Sequence, residues 1–166
     1  GVHIERELSD EMAMIDLNVD ALVTLCHAFG RDMAARGSGR ILNVGSTAGF
    51  VPGPMQAVYF ATKAFVNSYS QALDEELREQ GVTVTVLAPG YVETEFAQTA
   101  GLEGTGMVEA GGITPEETAR AGYDAMMKGD LVCVIPKKMS PMLTAAGLLP
   151  RRMLLKQVRK TQSRAS

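Results

Sequence analysis

Cysteine is scarce in this 166-residue chain. Only Cys26 and Cys133 occur, both in apolar surroundings, so buried thiols are expected rather than a disulfide framework. Histidine is equally sparse. His3 and His27 stand alone without metal-ligand spacing, so both are expected to be structural and no metal site is assigned. No apolar run reaches the length of a transmembrane helix, and the first ten residues, with Glu5, Arg6, Glu7 and Asp10, do not read as a signal peptide. Internal repeats and low-complexity tracts are absent. Gly45-Ser46-Thr47 lacks the second glycine of a nucleophile elbow, which removes the commonest serine hydrolase signature. Acidic residues are missing from Lys137 onward, where eight Lys/Arg give +8. The remainder carries −11, and the whole chain −3. The acidic body is not a nucleic-acid binder. A single soluble domain over residues 1–166 is expected, cytoplasmic in location, with an apolar then basic tail over 137–166.

What is present is an alternation of strands and helices. Ser9 offers an N-cap, with Asp10 and Glu11 in the first turn, and an apolar helical period then runs toward Gly37. Arg40 to Ser46 reads as a buried strand, Thr47 to Pro54 as a loop of helix breakers, and Gln56 to Gln80 as a long helix closed by Gly81. Val82 to Ala88 is a β-branched strand ended by Pro89-Gly90. Thr114-Pro-Glu-Glu starts another helix, running to about Lys128, and Leu131 to Ile135 is a third strand. This order predicts an α/β fold with parallel strands and right-handed crossovers. Glycine-rich residues 95–113, with Phe96, Leu102, Met107 and Val108, suit a lid or a surface loop.

The chemistry gathers around Ser46, Tyr59 and Lys63. Tyr59 and Lys63 are four apart and share one face of a helix, while Ser46 ends a strand, where open α/β sheets bind ligands. A tyrosine with a pKa of about 10 is a poor base at neutral pH, and a lysine ammonium one turn away favours its phenolate. A serine hydroxyl beside them can orient a carbonyl oxygen, which suits interconversion of an alcohol and a carbonyl.

Ser46 precedes Tyr59 by thirteen residues, Pro89-Gly90-Tyr91-Val92-Glu93-Thr94 follows the next strand, and Asn18 lies in the preceding helix. This combination resembles the short-chain dehydrogenase/reductase family from Gly1 to about Ile135. The resemblance implies a doubly wound, Rossmann-type parallel sheet, part of which is present. It implies an Asn18-Ser46-Tyr59-Lys63 tetrad. In it Tyr59 is the acid/base, Lys63 lowers its pKa and holds the cofactor ribose, and Ser46 orients the substrate oxygen. Asn18 marks a helical irregularity whose backbone holds a proton-relay water. Pro89, Gly90, Val92 and Thr94 would meet the nicotinamide of NADP or NAD, and the two long helices would face a second subunit in a homo-oligomer. The family's Gly-x-x-x-Gly-x-Gly turn, which takes the pyrophosphate at a helix N-terminus, is not found. The chain is therefore expected to be the C-terminal part of a longer protein. The competing readings are an inert fragment or interaction module and an extended-type epimerase or dehydratase, against which the Pro-Gly-x-Val-x-Thr loop argues.

In the tail, Met139 to Leu149 is apolar and suits closure over a hydrophobic small-molecule substrate. After Pro150, Arg152, Lys156, Arg159 and Lys160 oppose Leu154, Leu155 and Val158 on a helix. That pattern fits either a frayed, solvated C-terminus or a peripheral contact with an anionic membrane.

Overall fold

A computed structural model describes residues 1–95, 104–109 and 111–162. Phe96, Gly101 and Leu102 of the lid expectation lie outside the described residues. Three parallel strands, β1 (Gly39–Val44), β2 (Val82–Pro89) and β3 (Val132–Ile135), form a sheet in the order β1-β2-β3. The register runs from Gly39 opposite Val82 to Val44 opposite Leu87, and from Val86 opposite Val132 to Pro89 opposite Ile135. β2 is central because its β-branched residues can be buried on both faces. Val82, Val84, Thr85 and Val86 are all essentially inaccessible, and the Thr85 hydroxyl donates to the Asp130 carbonyl at 2.7 Å.

Helices cover both faces. On one side, α1 (Leu8–Ile15), a π-turn (Asp16–Asp20) and α2 (Ala21–Ala35) form a continuous helix beside α3 (Ala57–Arg78). On the other, α5 (Pro115–Lys128) brings Gly122 so close to Leu42 and Leu87 that a Cβ there would meet their side chains. Short α4 (Gly106–Glu109) precedes α5, and α6 (Met139–Ala146) and α7 (Arg151–Gln162) follow β3.

The element ends follow local chemistry. Thr114 forms a full capping box with Glu117, Pro115 stands in the first turn, and Gly129 closes α5 in the left-handed region at φ 73°. α1 starts one residue ahead of the expected Ser9 cap. Glu7 holds the extended cap position without a side-chain bond, and Ser9 is already helical.

Two expectations are corrected. The continuous helix Leu8–Ala35 has 28 residues and a window of mean hydropathy 1.4, enough by length and composition to cross a bilayer. Asp16 and Asp20 interrupt its apolar run without lowering the window mean enough, and only 6% of the window is buried. The second correction concerns the expectation of a frayed, solvated C-terminus. Leu154 is 4% exposed, α7 lies against α4, and Gln162 is hydrogen-bonded to Gln56. The helix is docked, with its apolar stripe turned to the protein and Arg151, Arg152, Lys156, Arg159 and Lys160 on the exposed side.

Candidate active site

The last ladder bond of β1 and β2 runs from the Gly45 N–H to the Leu87 carbonyl at 2.8 Å. Ser46 follows it, buried and extended, at the carboxyl edge of the sheet. Its Oγ accepts from the Ala48 N–H at 3.0 Å, capping a 3-10 turn over Thr47–Phe50. The breakers Pro52-Gly53-Pro54 then turn the chain into α3. Gly53 lies so close to the Phe60 ring that no side chain fits there. Tyr59 falls in the first turn of α3, on the side of Ser46, whose hydroxyl acts on the phenol against its burial.

Lys63 stands one turn further along. Its Nζ donates to the Val44 carbonyl at 3.0 Å and lies 5.9 Å from the centre of the Tyr59 ring. Asn18 sits in the middle of the π-turn, where the helix departs from α geometry, as the resemblance implies. Its Nδ2 donates to Thr62 Oγ1 at 3.1 Å, and Thr62 Oγ1 donates to the Tyr59 carbonyl at 2.8 Å. Asn18 therefore reaches the main chain of the first turn of α3 and not the phenol.

Electrostatics differ from the sequence expectation. Burial pushes the Tyr59 phenol above its ordinary range, and the Ser46 hydrogen bond pulls it back down. Burial lowers Lys63. The ammonium spends a hydrogen bond on the Val44 carbonyl and does not offset the burial of the phenol.

The loop after β2 closes on the same site. The Pro89 carbonyl lies 3.4 Å from Ser46 Oγ, and the Gly90 N–H donates to the Ile135 carbonyl at 2.8 Å. Val92 forms a parallel bridge with Ile113, in which Ile113 donates to the Tyr91 carbonyl at 3.1 Å and accepts from the Glu93 N–H at 3.0 Å. In such a bridge Val92's own N–H and C=O point to the opposite side. The Thr94 hydroxyl approaches that carbonyl at 3.5 Å. Glu93 and Ile113 are thus held together beside the site.

Two open cavities lie elsewhere. A groove of about 540 Å³ is lined by Phe50, Pro54, Ala57, Ala61 and Leu155 with Arg151, and the alanines occupy the side of α3 opposite Tyr59 and Lys63. The other, about 190 Å³, is at the amino ends of the strands near Gly39 and Thr83. Among the described residues, no group of three His, Cys, Asp or Glu is placed to hold a metal. Both cysteines are free thiols.

Residues 3–103 match the family model described as short chain dehydrogenase. The chain belongs to the short-chain dehydrogenase family. Among relatives of the chain, a very-long-chain 3-oxoacyl-CoA reductase of Laccaria bicolor is 42% identical over 94 residues, 57% of this chain and 27% of that protein. A sulfoacetaldehyde reductase of Chromohalobacter salexigens is 48% identical over 95 residues, 57% of this chain and 37% of that protein. The structure of a short-chain dehydrogenase from Sphingobium yanoikuyae in complex with NADPH aligns with a TM-score of 0.78 at 29% identity. It covers 98% of this chain and 63% of its own. The chain thus spans well under half the length of these curated relatives.

Asn67 and Thr62 escaped the sequence reading. The signal for Asn67 was available: it stands four residues after Lys63 and eight after Tyr59, and Ser70 and Asp74 continue the same polar face. Each of these residues bonds toward the sheet. Asn43 Nδ2 donates to Ser70 Oγ at 3.0 Å, and the Val84 N–H donates to Asp74 Oδ1 at 2.7 Å.

Proposed function

We propose that the intact protein carrying this chain is an NAD(P)-dependent oxidoreductase that interconverts a carbonyl and an alcohol. The observation that carries this reading is the gathering of Ser46, at the carboxyl edge of the sheet, with Tyr59 in the first turn of α3 and Lys63 one turn beyond, its Nζ 5.9 Å from the Tyr59 ring. A phenol raised by burial is protonated at neutral pH, so Tyr59 is poised to donate a proton to a carbonyl oxygen. Ser46 orients that oxygen by hydrogen bonding. Lys63 supports proton return to Tyr59 from the solvent side, and Asn18 fixes the π-turn against the first turn of α3 for a relay water.

The loop fits a nicotinamide cofactor, because the bridge to Ile113 leaves the Val92 main chain directed to its other side. Val92 and Thr94 would hold the carboxamide, Pro89 and Gly90 would give the loop its close approach, and Tyr59 and Lys63 would meet the ribose. The bound cofactor, NADP or NAD, would supply or take the hydride. NADPH in the Sphingobium yanoikuyae relative supports this assignment.

The substrate is a small carbonyl or alcohol, and we favour a hydrophobic one. Met139, whose Sδ lies close over Gly90, begins an apolar segment that continues through exposed Met142 and Leu149. A homo-oligomer formed across α2 and α3 would cover the exposed Leu25, Phe29 and Phe65. Free thiols fit a cytoplasmic location, and the basic outer face of α7 offers charge, without its apolar stripe, to an anionic membrane.

The test is a panel of aldehydes and ketones offered to the full-length protein with NADPH and with NADH. Tyr59→Phe should keep the far-UV spectrum and lower turnover by roughly two to four decades. Near-wild-type turnover in that variant would overturn the reading.

A further inference from the structure

Beyond the tetrad, α3 carries a side chain that touches Ser46 on both of its main-chain polar groups. Asn67 is 3% exposed. Its Nδ2 donates to the Ser46 carbonyl at 2.9 Å, and its Oδ1 accepts from the Ser46 N–H at 3.4 Å. A strand neighbour would occupy the same two groups, but β2 supplies its last bond at Gly45. The planar carboxamide takes the place of one more residue of ladder, carrying the order of β1 a residue past its end.

The flanking sequence is shaped to admit it. A Cβ at Gly45 would fall on Asn67 Oδ1, and one at Gly49 would fall on Asn67 Nδ2 and the Lys63 main chain. The glycines on either side of Ser46 therefore make room for one amide. The Gly49 N–H also donates to the Ser46 carbonyl at 3.1 Å, so that oxygen has two partners.

We propose that Asn67 is a positioning residue, which holds the Ser46 main chain so that the Ser46 hydroxyl meets the Tyr59 phenol. This deepens, and rests on, the reading of Ser46 and Tyr59 given above. Tyr59, Lys63 and Asn67 recur every four residues, so one helical face carries the acid/base, its lysine and the clamp on the serine. A helix shift that moved Tyr59 would move the clamp with it, keeping hydroxyl and phenol in register.

The test uses the full-length protein labelled with [13Cζ]tyrosine, with the Tyr59 resonance assigned by its loss in Tyr59→Phe. Asn67→Leu keeps the branched shape and removes both bonds. The phenol titration of Tyr59 should move upward by roughly half a pH unit or more, because the hydrogen bond favouring the phenolate is lost. Ser46→Ala should give the same shift, and Asn67→Leu added to Ser46→Ala should give none further. On a carbonyl reduced by the wild type, Asn67→Leu should lower kcat about tenfold or more with cofactor KM little changed. Should Asn67→Leu fail to fold, the same measurements on Asn67→Ala decide.

An unmoved Tyr59 titration in a folded variant, or a further shift in the double variant, overturns the proposal. If instead Tyr59→Phe proves fully active, the catalytic reading falls while the titration still decides whether Asn67 acts through Ser46.

Discussion

Lys63, a side chain of the proposed site, works against the fold that holds it. Burial lowers its pKa, so the folded state resists the proton that the unfolded chain accepts. As pH falls from the unfolded value of 10.5 through the lowered folded value, the unfolded state binds the proton first and stability is lost. Below the folded value the loss is complete. Lys63→Met removes this penalty, and the Val44 carbonyl it leaves belongs to a residue 54% exposed, where water can replace the ammonium. The variant is expected to be more stable than wild type at neutral pH while losing activity, a stability–function trade-off. Urea titrations should show the gap between variant and wild type narrowing as pH rises toward 10. Tyr59, raised in the folded state, adds the opposite slope above about 10, so the comparison is read below that pH. A variant less stable than wild type across this range would show that the Val44 bond outweighs burial.

At the scale of elements, some signals are local and others arise only in packing. The start of α5 was readable because Thr114, Pro115 and Glu117 satisfy helix-end donors within four residues. The strands were readable from their β-branched runs. α7 was not, because a stripe of Leu154, Leu155 and Val158 opposite basic residues describes a membrane-facing helix and a docked one equally well. The docking itself, with Leu154 buried and α7 against α4, comes from distant sequence. The role of Asn67 was hidden for the same reason, since its partner lies twenty-one residues earlier. Docking gives α7 a measurable share of stability. Leu154→Ala deletes a side chain that is 4% exposed and should cost about 2 to 3 kcal/mol. A solvated tail would change by no more than about 0.5 kcal/mol. Urea unfolding of the two proteins separates these outcomes.

At the scale of the whole molecule, surface that suits a partner is exposed in two places. β1 has β2 on one side and no strand partner on the other among the described residues, and Val44 on it is half exposed. Along the helices, Leu17, Leu25 and Phe29 are each more than half exposed. An open strand edge and an apolar helix face are both adhesive in water. In the intact protein, other segments or a second copy would cover them. The 166-residue chain produced alone should therefore self-associate, and light scattering after size exclusion at about 10 μM should report a mass well above 17.7 kDa. Charge offers a control, because the −11 body and +8 tail attract each other between copies. If charge pairing drove the association, about 0.5 M salt would dissolve it; apolar contact is strengthened by salting-out ions such as sulfate. We expect association to persist in sulfate. A monomer in sulfate would assign the association to charge, and a monomer in every buffer would mean that the edge and the apolar face are satisfied within one chain.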